Sequence, residues 1–553
     1  MSCLADRARR ELVAKWPDFT IQIDDQTGHG RTFREVQRRL ALGATALGAP
    51  VADGGLGLSG DSDEIIGLLG FNSLEYFDIV HSLLMITTPF ALISVYSTRF
   101  ELAHALKLTK ATRLFVDAKV LDNVLAIIED PDVHIKSEHI YILAGSPPNG
   151  WKSFSHMIDA VEHRNVPLVP VRPATKDTLA YLIMSSGTSG LPKAVMTTHG
   201  NVICSILQGV AIAESTHEKS QPHTMPVTIA VLPMFHSYGL HAYILRATLY
   251  RATYVIMQKW DTTRYLECIP KHAAVVLPLL LGANTRQFRY RVTQLSLIPS
   301  TIHQLVNHPL IKTTDFSSII YINSGAAYLP PELAAQLSKF LRKSSVLTQS
   351  YGLSETTLTA LARPSADTGL GSPPPTATGV LIPGLEARIV RADGSDAAAG
   401  ETGELWLRGG NVVPGYWNNA QATADAFVNG FADRGKDTLK VSGVQVSPME
   451  IEDVLLAHPA KLISDATVAG VSGGRTADEK VPRAWVVLSA AGKAQGASAV
   501  IEALEAWYKE SLSKYKWLRG GIEVVDELPK TATGKTMRRV LQDEYERRVK
   551  AKL

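Results

Sequence analysis

Tyr181-Leu-Ile-Met-Ser-Ser-Gly-Thr-Ser-Gly-Leu-Pro-Lys193-Ala decides how the rest of the chain is read. Leu179 to Met184 is an apolar run of a length that suits a buried strand. It gives way to Ser185, Ser186, Gly187, Thr188, Ser189 and Gly190, small residues with no core to fill. What they offer is backbone N–H groups, hydroxyls and freedom in φ. Those are the parts of an anion-binding concavity. Lys193 can neutralise charge there, and Pro192 stiffens the exit. Alone, a Gly/Ser cluster reads as a surface turn; the strand before it and the lysine after it favour phosphate. The spacing is not Gly-x-x-x-x-Gly-Lys-Ser/Thr, because Gly187 and Gly190 are too close and Leu-Pro separates Gly190 from Lys193.

Working outward, Val346-Leu-Thr-Gln349-Ser350-Tyr351-Gly352-Leu353-Ser354-Glu355-Thr356 is a strand ending in an aromatic, a glycine turn, a hydroxyl and a carboxylate. Tyr351 can stack on a base. Glu355 can hold Mg2+, a hard ion that takes oxygen ligands and shares phosphates; in isolation it reads as a carboxylate favoured at a helix N-terminus. Val227 to Pro233 reads as another buried strand, delivering His236 and Tyr238 where α/β enzymes place their sites; alone it reads as a packed aromatic turn. Ser317 to Ile322 is a predicted strand leading to Asn323-Ser324-Gly325-Ala326-Ala327-Tyr328, a small-residue turn before a helix opened by Pro330 and Pro331. Leu528-Pro529-Lys530-Thr531-Ala532-Thr533-Gly534-Lys535 is either an exposed basic turn or a mobile lysine able to stabilise developing negative charge.

The composition fits this frame. The chain has 553 residues, 45% hydrophobic and 20% charged, with a net charge of +3. That allows a large core and more than one domain, and no global field points to nucleic acid or membrane. Cys3, Cys204 and Cys268 are far apart and suggest a reducing compartment, and no metal-ligand spacing is present. The N-terminus lacks a signal-peptide apolar core. Ile79 to Tyr96 is interrupted by His81, Ser82, Thr87, Thr88 and Pro89, so it reads as buried helix and loop. Thr32 to Leu47 predicts an amphipathic helix opened by Thr32. Glu64 to Phe71, Ala111 to Val116 and Ala484 to Leu488 predict strands. Gly379 to Val390 and Gly403 to Gly410 predict β-hairpins, continued by Asn411-Val-Val-Pro-Gly415-Tyr416-Trp417. Helices are expected from Pro448, over Ser498 to Tyr515 with Ser498 as cap, and over Met537 to Lys552. The alternation argues α/β.

Together these stretches resemble the adenylate-forming superfamily of acyl- and aryl-CoA synthetases, adenylation domains and beetle luciferases, and are most similar to coumarate-CoA-ligase-like enzymes. The resemblance implies an α/β fold: a large AMP-binding domain, residues 1–433, of α/β subdomains plus a β-barrel-like part, and a small mobile α+β domain, residues 434–553. It implies that Ser185 to Gly190 and Lys193 hold phosphates, and that Glu355 holds Mg2+. Gly325, Ala326, Gln349, Ser350, Tyr351, Gly352 and Ser354 would bind the nucleotide. Tyr238, Ala327 and Tyr328 would line the acyl pocket, Tyr328 standing where many relatives carry Pro. His236 would gate the pantetheine tunnel. Arg434 would contact the ribose, Lys436 would be the hinge, and Lys440 and Gln445 would face nucleotide and acyl group. Ser442 and Gly443 would lie near CoA, and Lys535 would be the catalytic lysine. The implied activity is an ATP-dependent acid–CoA ligase working through an acyl-adenylate on an aryl or medium-chain acid, with ATP, Mg2+ and CoA. Rivals are an adenylation enzyme loading a carrier protein, a luciferase-like oxygenase and a non-catalytic nucleotide-binding remnant. Ala551-Lys552-Leu553 is close to a Ser-Lys-Leu peroxisomal address.

Two departures from the family pattern stand out. Ala273 to Tyr290 interrupts a helix-to-strand connection, has an apolar half unsuited to a surface, and reads as a retained intron or a true insertion. Ahead of Asp433 the chain lacks the segment whose Thr-Gly-Asp carboxylate holds the ribose hydroxyls in the family. That gap supports the remnant reading.

Overall fold

The computed structural model describes residues 16–60, 64–133, 135–185, 192–217, 225–247, 251–270, 291–327, 329–363, 377–391, 393–432, 439–441, 444–473, 480–529 and 536–550. The suspected insertion Ala273–Tyr290 and Ala551 to Leu553 lie outside them. Two compact units emerge. One comprises residues 1–95, 109–183 and 195–433, and the other residues 96–108, 184–194 and 434–553.

The larger unit carries a nine-stranded sheet. Its inner strands Thr20–Asp24, Thr253–Ile256, Val227–Ala230, Gln294–Leu297, Tyr321–Ser324 and Val346–Tyr351 pair in parallel. Antiparallel strands close both edges. From Val227–Ala230 the chain goes to a neighbour on one side, then crosses to Gln294–Leu297 on the other. Strand order reverses there, and such a switch opens a crevice beyond the carboxyl ends of the strands. A seven-stranded sheet includes Leu179–Ser185, Phe90–Leu92, Ile66–Leu69 and Arg113–Asp117. The part expected to be barrel-like is represented by a four-stranded antiparallel sheet: Leu385–Val390, Glu404–Gly409, Phe431–Ala432 and Phe427–Val428.

One apolar core joins strands of both large sheets, including Ile21, Ile256, Phe90 and Ile183, with the helices Phe33–Gly48 and Leu74–Met85. Thr32 caps the first of these with a capping box to Glu35, as its sequence predicts. Asn72 donates to the carbonyls of Ala230, Leu232 and Met257 at 3.1–3.3 Å and accepts from Met234 N–H at 2.8 Å. This side chain fixes the backbone that leads to His236.

Three elements differ from expectation. Residues 90–92, within the stretch read as helix and loop, form an inner strand of the seven-stranded sheet. The strand expected from Ser317 begins at Tyr321, because Asp315 captures the Ser317 N–H in an Asx turn at 2.8 Å. The helix expected from Ser498 starts at Ala497 with Gly496 as cap; Gly496, at φ +88, makes the left-handed turn out of the helix Ala490–Gln495.

The smaller unit has a three-stranded sheet, Ile463–Ser472, Lys480–Leu488 and Ile522–Val524, packed by the helices Pro448–Leu456 and Ala497–Ser511. Residues 439–441 and 444–446 form a hairpin.

Candidate active site

The carboxyl ends of the nine-stranded sheet bring together residues drawn from three separate motifs. Tyr238, from beyond Val227–Ala230, is hydrogen-bonded to Asn323, whose Nδ2 lies 2.8 Å from the phenol oxygen. The same Nδ2 donates to Ser350 Oγ at 3.3 Å. Ser237 Oγ donates to Ser354 Oγ at 3.3 Å. Gln349 Oε1 accepts from Leu329 N–H at 3.3 Å. A Cβ on Gly325 would lie 3.1 Å from the Tyr238 ring, close enough that the ring would have to shift by a few tenths of an ångström. Ala326 sits at φ +66, a conformation that costs an L-residue energy and recurs at functional sites.

Gly352 is forced by contact: a Cβ there would stand 1.5 Å from the Leu358 carbonyl oxygen. It lets the chain fold from Tyr351 into the short turn that carries Ser354 and Glu355. Glu355 is buried and accepts a 2.8 Å hydrogen bond from Tyr416 Oη. A single buried carboxylate beside a serine hydroxyl fits Mg2+, which takes one or two carboxylates and completes its shell with phosphate oxygens. Among the described residues no cluster of three His, Cys, Asp or Glu could hold a metal alone.

His236 is open to solvent yet crowded by protein, and that desolvation lowers its pKa below the ordinary histidine value. Its ring is neutral at pH 7, and its Nδ1 accepts from Tyr238 N–H at 3.4 Å. Burial raises the Tyr238 phenol far above its usual range, so it acts as a neutral hydroxyl. Directly after, Leu240–Leu245 forms a π-helical turn, a device frequent at functional sites.

Ser185 ends the strand Leu179–Ser185; its Oγ is buried with no hydrogen-bond partner among the described residues. Lys193 opens the next strand and is buried. Ser186, Gly187, Thr188, Ser189 and Gly190 lie outside the described residues, as do Tyr328, Arg434, Lys436, Ser442, Gly443 and Lys535. For Lys440 and Gln445 only their paired strand positions are described. Sequence reasoning missed Asn323 and Tyr416. Both stood in quoted stretches without a role, Asn323 at the head of the turn after Ile322 and Tyr416 after Gly415; the structure puts Asn323 inside the strand Tyr321–Ser324.

Known proteins show the same organisation. Residues 10–281 and 283–417 match the AMP-binding enzyme family, and residues 450–535 match the AMP-binding enzyme C-terminal domain. A probable 4-coumarate–CoA ligase of Dictyostelium discoideum is 28% identical across 95% of this chain and 92% of its own. A 4-coumarate–CoA ligase of Solanum tuberosum is 28% identical across 96% and 92%, and an acyl-CoA ligase of Alternaria alternata 27% across 95% and 90%. Among solved folds, o-succinylbenzoate CoA synthetase from Bacillus subtilis matches at TM-score 0.72 and 22% identity over 97% of each chain. An amide bond synthetase from Marinactinospora thermotolerans matches at 0.74 and 20% over 97% and 99%. The chain therefore belongs to the AMP-binding enzyme family, as an AMP-forming acid–CoA ligase of the acyl- and aryl-CoA synthetase kind.

Proposed function

We propose that this ligase activates an aryl or medium-chain carboxylic acid and passes it to CoA. The observation that carries the substrate class is the Tyr238–Asn323–Ser350 row beside Gly325. It sets an aromatic ring and a few fixed polar groups at the strand ends, the usual make-up of a small-molecule site. The acid oxygen attacks the α-phosphorus of ATP, forming the acyl–phosphate bond and releasing pyrophosphate. Ser185 to Lys193 hold the β- and γ-phosphates. Lys535 stabilises the charge that builds up in line, where positioning and electrostatics supply most of the catalysis. Glu355 would hold Mg2+, which would supply charge neutralisation on the phosphates. Tyr351 and Gln349 bind the base, while Arg434, Lys440 and Gln445 contact the adenylate. The small domain, residues 434–553, then turns about Lys436. CoA enters by Ser442 and Gly443, and its thiol displaces AMP with His236 as the gate.

The chain's own departure favours one second reading. The Thr-Gly-Asp segment is lacking ahead of Asp433, and residues 418–449 fall between the two family matches. This supports a chain that binds nucleotide and does not turn over. Pyrophosphate release with ATP, Mg2+ and CoA, across cinnamic, phenylacetic and fatty acids, separates the two. Release that depends on an aryl or medium-chain acid, with its CoA thioester as product, supports the proposal. Nucleotide binding without release supports the remnant. Adenylate formed but transferred only to a carrier protein supports a carrier-loading enzyme. Ala551-Lys552-Leu553 supports peroxisomal import, checked by its ability to carry a fluorescent reporter into peroxisomes. No helix among the described residues is long and apolar enough to cross a membrane.

A further inference from the structure

We propose that Tyr416 is a positioning residue for Glu355, and that Asn411–Tyr416 is the clasp that aims this carboxylate at a divalent cation. The inference rests on the reading of Glu355 as the metal ligand. Tyr416 Oη donates to Glu355 Oε1 at 2.8 Å, with Tyr416 2% and Glu355 8% exposed.

The clasp is fixed at several points. Residues Gly415 and Tyr416 pair with Met196 and Val195. Tyr416 N–H donates to Thr423 Oγ1 at 3.0 Å, and its ring meets Phe427 edge-on at 5.8 Å. Upstream, Val413 N–H donates to the Glu355 carbonyl at 3.0 Å. Asn411, fully buried, donates to the carbonyls of Thr356 and Thr359 at 3.0 and 3.1 Å. Thr357 stands at φ +62, an outlier for a β-branched residue. Its hydroxyl is held at 2.6 Å by the Asn411 carbonyl. Strain of this kind persists where surrounding bonds over-determine it.

The chemistry explains why a phenol serves. A carboxylate on a short turn can rotate about its last torsion. A neutral donor on Oε1 favours one plane of the carboxylate, and with it one direction of Oε2, and brings no charge of its own. Groups that orient a metal ligand in this way typically change metal affinity by roughly 10–100-fold when removed.

The test is Mn2+ titration of the full chain with ATP, read by electron paramagnetic resonance, for wild type, Y416F, E355Q and the double variant. Denaturation midpoints are measured alongside. The expected result is Mn2+ binding weakened roughly tenfold in Y416F with its midpoint retained, weakened in E355Q, and no further loss in the double variant. At low Mg2+, pyrophosphate release by Y416F falls, and it recovers at high Mg2+. If E355Q weakens binding and Y416F does not, or the two losses add, the positioning role is overturned and Glu355 remains the ligand. If E355Q binds Mn2+ like wild type, the metal reading of Glu355 fails and this inference fails with it. Should Y416F not fold, Thr423→Val, which removes the hydroxyl that receives the Tyr416 N–H and donates to the Asn419 carbonyl, is read in its place; a smaller shift in the same direction with the denaturation midpoint retained supports the role, and an unchanged affinity overturns it.

Discussion

Two buried glutamates make opposite use of burial. Glu355, in the larger unit, receives a phenol hydroxyl from Tyr416. Glu450, in the smaller unit, receives the ammonium of Lys516 at 2.6 Å, and Lys516 also contacts Glu101 at 2.7 Å. All three side chains of this second cluster are at most 6% exposed. An ammonium between two carboxylates neutralises charge inside the protein and makes a structural node. A phenol hydroxyl donates to its carboxylate and brings no charge of its own. These partners of the two carboxylates, a phenol and an ammonium, differ in charge where the burial of the carboxylates does not.

The comparison is broken most severely at Lys516. Lys516→Met strands two buried carboxylates, and the expected loss of stability is about 3–5 kcal/mol, measured by chemical denaturation. An unchanged midpoint would mean the cluster contributes no net stability. Gly352→Ala comes next: a Cβ 1.5 Å from a backbone oxygen must push the Glu355 turn aside. Its cost is expected in the overpacking range of about 1–3 kcal/mol or more, with pyrophosphate release falling together with the denaturation midpoint.

Glu355→Gln should lower pyrophosphate release by roughly 10²-fold, the scale of a lost electrostatic contact to the transition state. Its denaturation midpoint should stay near wild type, the reverse of Lys516→Met.

Acid sharpens the same contrast. Burial raises the Glu101 pKa, but Lys516, Ser513 and the Thr98 N–H outweigh it and hold the carboxyl below its ordinary value of 4.5. A carboxyl depressed in the folded state contributes stability that is present above the unfolded value and lost as pH falls through the folded one. Stability should therefore decline below about pH 4.5, and Lys516→Met should flatten that decline. The smallest effect is expected at the exposed Glu505–Lys509 pair. Glu505→Ala should change stability by about 0.3–0.5 kcal/mol, which sets the floor against which the buried clusters are judged.

Much of the fold was legible because it follows from local chemistry. Thr32 opens its helix because a hydroxyl and Glu35 satisfy the first N–H groups wherever that sequence occurs. Apolar runs such as Leu179 to Met184 become strands because they must be buried. Pro331 begins a helix because it lacks the N–H that a first turn would leave unpaired. Errors came where a local competitor acted: the Asp315 turn shortened the strand at Tyr321, and Gly496 took the place of Ser498 as cap.

By itself, the sequence determined the motifs, their order, and the residue types that phosphate and Mg2+ chemistry require, since these depend on side chains and short spacings. Only the tertiary structure decided that Tyr238, Asn323 and Ser350 form one hydrogen-bonded row, because parallel pairing puts the ends of distant strands side by side. It also decided which partner each buried carboxylate meets. No spacing along the chain says that Tyr416 reaches Glu355 or that Lys516 reaches Glu101. Those contacts are set by packing, where a buried polar atom takes whichever partner the fold delivers.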